Sequence, residues 1–448
     1  MTDIAQNSEG YNREAHIGLH FLIILFGISA WIGINGIFIQ TAVLINISPE
    51  GWALPAYLVL VIQAANFGPL LYTILQYFRC QINESWWILC LLVSGTFTMG
   101  LLTFFYSEKT IIAGNEYSLT LFVLTFFNAL VGCFSSVLFM PYLRNFNEKC
   151  LISYFIGEGL SGVLPSIIAL IQGIGDNLKC TISQVYKNNT ELEALSVLSG
   201  LRFTPNIYFL FIFIILFLSL TAFAILEYSS VMQNEKRAPK SISAVYNEKN
   251  TNVSHQVEKI NHCSLEGNLF LHANSKHITK QTRNYLFILL AICCFFGNGF
   301  FPSIQSYSCL PYGNIAYQLS ITFAQFANPV VCLLAFWLTV SKVKIISYLS
   351  VICLIIGSYV TYLALLSPSP PLQTTNLGVY LVITSWTLLM GLIAYLKLII
   401  VSVFRNTVLP NILFNAGVIM QIGSASGAIF SFVIINFTNY FEMHDYCT

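Results

Sequence analysis

Apolar residues run along this chain in long unbroken blocks, separated by short polar stretches. A helix rising 1.5 Å per residue needs about 20 mostly apolar residues to cross a bilayer. About eleven blocks reach that length. Their approximate limits are 18–45, 54–78, 86–106, 118–143, 151–173, 206–227, 284–303, 315–340, 345–366, 377–401 and 411–436. Helices suit such blocks because they satisfy their backbone polar groups internally, which lipid cannot do for them. The first block is long, follows a polar stretch and has neither a basic n-region nor a small-residue cleavage site. It therefore reads as a first span, not a cleavable signal.

Two polar stretches divide the pattern. Residues 174–205 form a loop with a glycosylation sequon at Asn188-Asn189-Thr190. Residues 228–283 carry eight Lys/Arg and four Glu with no apolar periodicity, the composition of a disordered linker. The predicted organisation is a tail (1–17), a six-helix bundle (18–227), the linker (228–283), a five-helix bundle (284–436) and a second tail (437–448). Six plus five suggests two bundles around a central pathway.

Charge sharpens this picture. Only 39 of 448 residues are charged, or 9%, against about 25% in a soluble domain. That excludes a soluble globule and a wholly disordered chain. A net charge of +1 without a basic patch excludes a nucleic-acid partner. With the N-terminus inside, 15 Lys/Arg fall on the cytoplasmic side. Four fall outside (Lys109, Lys179, Lys187, Arg202), and Lys397 lies within a span. The C-terminus then falls outside. Most of the twelve cysteines lie in apolar runs and have no zinc-ligand spacing. The absence of a GxxxxGK[ST] motif leaves no ATP-driven machinery, so a secondary or facilitative carrier is expected.

Polar side chains inside spans are costly and mark pathways or interhelical bonds. Trp31 and Asn35, at i and i+4 in WIGING, share one helix face. Gln63 and Asn66 precede Pro69, which removes a backbone hydrogen bond and frees a carbonyl near residue 65. Glu158, in FIGEGLSG, is the one carboxylate well inside a span. It lies roughly 10 Å from the cytoplasmic end at 1.5 Å per residue. Lys397 sits at similar depth, so the two could form an inner gate pair; the alternative for Lys397 is snorkelling to the headgroups. The second half offers Asn298, Gln305, Tyr307, Gln318 and Asn328. No deep His or Asp supplies metal ligands, and no Arg cluster supplies a clamp for an anion. Aromatics and amides suit a neutral, polar ligand with a flat ring.

These motifs resemble the riboflavin transporter family, solute carrier family 52. The blocks are WIGINGIFIQ (31–40), PEGWALPAYLVLVIQAANFGPLL (49–71), FVLTFFNALVGCFSSVLFMPYL (122–143), FIGEGLSGVLPSIIALIQG (155–173), GNGFFPSIQSYSCLPYGNIAYQLS (297–320) and ANPV (327–330). The resemblance implies plasma-membrane uptake of riboflavin through eleven spans with a cytoplasmic N-terminus. It also implies independence of sodium and, in some members, stimulation by external protons. Asn128 stands where an apolar residue is expected. Ser369 occupies a place where vertebrate members often have Cys, which bears against a disulfide from that loop to Cys447. The outside cysteines are then Cys180, Cys309 and Cys447, and which of them pair stays open.

The reading is an all-α polytopic carrier of major-facilitator-like arrangement, expected as a monomer in the plasma membrane, with riboflavin and the lipid bilayer as its partners. No cofactor, metal or catalytic residue is expected. Trp31 would stack on the flavin ring, while Asn35, Gln63 and Asn66 would bond its polar edges or ribityl hydroxyls. Gln305, Tyr307, Gln318 and Asn328 would close the cavity from the second half. The halves would rock about this midplane site, with Glu158 and Lys397 serving an inner gate or a proton step. A nucleoside-type carrier, and a receptor or channel on the same scaffold, are the alternatives; a membrane enzyme lacks a catalytic constellation.

Overall fold

The computed structural model describes residues 17–77, 83–143, 146, 148–173, 201–229, 279–337, 343–405 and 412–443. The Asn188 sequon, Cys180, Cys447 and all but the ends of the 228–283 linker lie outside these residues.

In the first half, α1 (Ile17–Ile28) and α2 (Ile32–Leu44) make one pass bent by 49°. The second pass breaks at Asn66 into α3 (Leu54–Ala65) and α4 (Phe67–Tyr77), where Pro69 was expected to free a carbonyl. Then come α5 (Glu84–Phe105), α6 (Leu119–Phe134) with α7 (Met140–Leu143), α8 (Glu148–Gln172) and α9 (Pro205–Tyr228). The second half holds α10 (Lys280–Cys294), a π-helical stretch (Phe295–Phe300), α11 (Phe301–Cys309), α12 (Asn314–Trp337), α13 (Val343–Leu365), α14 (Asn376–Arg405) and α15 (Ile412–Phe437). Among the described residues, eight helices are long and apolar enough to cross a membrane, and two bent pairs raise the number to ten. Helix α12 carries Gln318, Gln325 and Asn328 along its length and Pro329 inside it.

Local chemistry sets the helix starts. The Asn83 side chain accepts the Ser85 N–H at 3.2 Å to cap α5, and Thr279 accepts the Thr282 N–H at 3.3 Å to cap α10. Proline occupies the first turn of α3, α9 and α11, where its missing N–H costs nothing. Between α5 and α6 the chain forms a hairpin, β1 (Thr110–Ile112) antiparallel to β2 (Asn115–Tyr117). Its turn residues Ala113 and Gly114 both have positive φ (52° and 88°), matching the twist of paired strands. We call the bundle's two ends the hairpin end and, where Tyr228 and Lys280 lie, the linker end.

Each half contains a helix pair in backbone contact. A Cβ at Gly27 would strike the backbone of Tyr154, and one at Gly157 the backbone of Ile24, so α1 and α8 touch backbone to backbone. In the second half, a Cβ at Gly427 would strike Phe295 O, and one at Gly299 the backbone of Gly427 and Ala428. The first and fifth passes of each half therefore meet through glycine, the small-residue packing of membrane helices.

The apolar core is single at the hairpin end and double at the linker end. One cluster joins residues of both halves, among them Ile37, Trp52, Tyr307, Tyr317 and Trp386. A second cluster lies wholly in the first half (Phe26, Phe139, Tyr154, Phe223) and a third wholly in the second (Leu290, Ile346, Leu396, Phe404). Correspondingly, α3 packs on α11 and α15, whereas α4 packs on α3 and α6 of its own half. The halves are fastened at the hairpin end and packed separately at the linker end.

Candidate functional site

The seam between the halves carries the polar side chains that the sequence singled out, together with one that it did not. Asn35, half-buried on α2, donates to Ser161 Oγ of α8 at 3.3 Å. One turn earlier on α8 is Glu158, which enters no hydrogen bond or ion pair through its carboxylate among the described residues. Across the seam stands Gln325 of α12. A Cβ at Gly162 would lie 2.9 Å from Gln325 Oε1 and 3.6 Å from Asn35 Nδ2. Glycine at 162 thus lets amides from the two halves converge. Gln325 is half-buried and its amide is likewise unpartnered among the described residues. Pro329 packs over Gly159 at 3.3 Å from where a Cβ would be, extending the seam by a turn. The arrangement offers a donor–acceptor pair on each side and a carboxylate nearby, with no cation opposite among the described residues.

Trp31 sits at the α1–α2 bend, half-buried, with its ring over Gly132 of α6. Gln63 and Asn66 bond each other, Asn66 Nδ2 donating to Gln63 Oε1 at 2.9 Å across the helix break. Asn128, the unexpected amide, donates to Thr98 Oγ1 at 2.9 Å and lies against Gly33 of α2, where any Cβ would displace it. It ties α5, α6 and α2 together, which explains a polar residue there.

The remaining candidates lie elsewhere. Tyr307 is buried at the hairpin end between Trp52 (ring centroids 5.8 Å apart) and Phe441 (5.3 Å). Gln305 is half-buried two residues earlier. Gln318 is 1% exposed, with an unpartnered Oε1 and a long 3.5 Å contact to Thr322. Asn328 is exposed. Lys397 and Glu158 are not paired. Lys397 Nζ donates to Asn298 Oδ1 at 2.9 Å, and Asn298 Nδ2 donates to Ser424 Oγ at 2.9 Å, all within the second half. The separation of the halves at the linker end accounts for this difference from the expected pair. Cys309 is a buried free thiol.

At the hairpin end, hydrogen bonds cross between the halves. Ser306 Oγ donates to Trp52 O at 2.7 Å, and Tyr317 Oη meets Thr41 Oγ1 at 3.0 Å. The Trp52 N–H reaches the Met443 sulfur at 3.3 Å. These contacts and the aromatic plug of Trp52, Tyr307 and Phe441 seal that end.

The sequence profile described as "Solute carrier family 52, riboflavin transporter" matches residues 15–443. Solute carrier family 52, riboflavin transporter, member 3-A of Danio rerio is 32% identical, covering 96% of this chain and 98% of its own length. Member 3 of Homo sapiens is 31% identical with the same coverage, and human member 2 is 32% identical over 92% of this chain and 93% of its own. Among solved structures, a point mutant of the nucleoside transporter NupG superposes with a TM-score of 0.54 at 11% identity, covering 94% of this chain and 90% of that one. A bacterial homolog of the human lysosomal transporter Spinster, inward-facing and unoccupied, gives 0.52 at 14% identity, covering 95% and 82%. At these identities the likeness establishes the fold alone, helical bundles in a major-facilitator-like arrangement. The chain is a multi-pass membrane protein belonging to solute carrier family 52, the riboflavin transporter family.

Proposed function

We propose that this chain takes up riboflavin across the plasma membrane by alternating access, without sodium or ATP, with the hairpin end outside and the linker end in the cytoplasm. The observation that carries this reading is the divided core: one shared cluster at the hairpin end and two separate ones at the linker end. A carrier must part its halves on one side while keeping them joined on the other, and this arrangement is the inward-open member of such a cycle. The placement of basic residues supports the same orientation.

Riboflavin is neutral and carries an imide edge that alternates acceptor, donor and acceptor. Asn35 and Gln325 offer matching amides from opposite halves, so a ligand bonded to both draws α12 toward α2 and α8. Trp31 supplies a ring for stacking, and Gln63 and Asn66 supply polar contacts to the ribityl chain. Gln305, Tyr307, Gln318 and Asn328 act as second-half wall and closure residues. Glu158, with no cation opposite among the described residues, would serve the inner gate or a proton step. Lys397 would meet Glu158 only when the linker end closes.

Radiolabelled riboflavin uptake in expressing cells, with and without sodium and at two external pH values, tests the reading. Saturable, sodium-independent uptake that excess unlabelled riboflavin abolishes and excess uridine leaves intact is expected. Uptake lost to uridine instead assigns a nucleoside-type carrier.

A further inference from the structure

At the hairpin end a cleft of about 720 Å³ opens between the halves, above the aromatic plug. Its volume falls within the range of small-molecule sites, roughly 300–1,000 Å³. Its walls come from both halves: Glu50, Tyr57 and the hairpin strand Asn115–Tyr117 on one side, the end of α15 and residues 438–443 on the other. Tyr57 is locked in place, parallel to Phe122 at 5.4 Å and edge-on to Phe432 of the opposite half at 4.9 Å. Tyr117 and Phe441 add rings, and Asn115 and Asn436 add amides. Such a wall suits a flat ring edged with hydrogen-bonding groups.

The charges on the wall are all of one sign. Glu50, Glu116 and Glu442 line the cleft, and among the described residues no Lys or Arg does. Glu50 is fixed, its two oxygens accepting the Ser118 N–H at 2.7 Å and the Ser118 hydroxyl at 2.8 Å. Glu116 is paired with Lys109 at 3.3 Å, with both side chains about half exposed. The Glu442 side chain is exposed and unpaired among the described residues. A phosphorylated solute entering here would meet three carboxylates with one cation, Lys109 beside Glu116, to offset them.

We propose that this cleft is an outer vestibule that captures a neutral, flat, hydrogen-bonding solute before the plug opens and turns away its phosphorylated form. It is distinct from the seam of Asn35 and Gln325, none of whose residues lines it. The inference rests on the hairpin end facing outward and on riboflavin as the cargo. A solute held by both walls also bridges the halves, so capture has to be weak: tight binding in the cleft would oppose the parting of the plug.

The test is uptake of radiolabelled riboflavin by cells expressing the full chain, with riboflavin 5′-phosphate as competitor. Surface expression is matched, and wild-type uptake is measured first. If wild type takes up no riboflavin, the reading of the cargo fails; the remaining arms test the vestibule. In the variant E116Q/E442Q the inhibitory concentration of the phosphate is expected to fall about fivefold at low salt, and the effect to shrink at high salt as screening requires. Half-saturation by riboflavin itself should move less than about twofold, since a neutral solute has no charge for the carboxylates to repel. Equal shifts for both compounds, or none for the phosphate, overturn the selectivity. For capture, Tyr117→Ala should raise half-saturation severalfold at unchanged maximal rate, while Tyr117→Phe preserves it. Unchanged half-saturation in Tyr117→Ala overturns capture.

Discussion

The hydrogen bond between Thr41 and Tyr317 allows the strength of the hairpin-end seal to be measured from both partners. Thr41 Oγ1 donates to the carbonyl of Phe38 in its own helix, so the Tyr317 hydroxyl is the donor across the halves. Both residues are buried, at 0% and 1% exposure. Removing the donor, in Tyr317→Phe, leaves Thr41 still bonded to Phe38. The sealed state then loses one net hydrogen bond of about 1 kcal/mol, roughly a fivefold shift toward a state open at the hairpin end. Removing the acceptor, in Thr41→Val, strands a buried phenol hydroxyl that water solvates once the end opens. That costs the sealed state about 1–3 kcal/mol, centred on a shift of roughly thirtyfold. Adding Tyr317→Phe to Thr41→Val removes the stranded group and should bring the shift back toward that of Tyr317→Phe alone. Ser306→Cys provides the reporter: Ser306 is fully buried against Trp52 and should react with an impermeant maleimide only when the halves part there. Labelling rates in the Ser306→Cys background should rank Thr41→Val above Tyr317→Phe, with the double variant between wild type and Thr41→Val. A double variant that labels faster than Thr41→Val would show that the two residues do not act as a bonded pair.

Other expectations follow from the seam and the glycine contacts. Gln325→Leu should raise half-saturation for riboflavin about tenfold, the value of one to two hydrogen bonds to a half-buried amide, at matched surface expression. Glu158→Gln should flatten any difference between riboflavin uptake at two external pH values while leaving binding intact; a preserved pH difference assigns the proton step elsewhere. Asn298→Leu should lower thermal stability in detergent more than Lys397→Met does, because it strands a part-buried ammonium, and Lys397→Met should restore much of the loss in the double variant. Gly157→Leu should abolish accumulation of folded protein, since its side chain would run into the backbone of Ile24 and Gly27.

Much of the architecture was legible because lipid imposes a simple requirement, a long apolar run for every crossing. The departures occur where local geometry or distant contacts decide. The π-helical stretch at Phe295–Phe300 aims Asn298 at Lys397, and no periodicity in FFGNGF announces an extra residue per turn. Asn35 and Glu158 stood out because an amide or carboxylate in an apolar run is expensive. Gln325 did not, because the neighbouring Asn328-Pro329 supplied the stronger local signal. Its meaning depends on Gly162, which only the fold brings opposite. Tyr307 was legible as a second-half aromatic but not as part of a plug, because the residues that cover it come from 441–443 and from Trp52. A short-range reading of the chain sees none of those neighbours.

That long-range cover also sets an order in time. The Trp52 N–H meets the sulfur of Met443 across 391 residues of chain. At a synthesis rate of roughly 5–20 residues per second, about 20 to 80 s separate the appearance of the two partners. Through that interval the hairpin end of the first half lacks the piece that caps it. The cap over Trp52 is therefore the last part of the hairpin-end seal to be made, after the partners of the Ser306 and Tyr317 bonds are already in place.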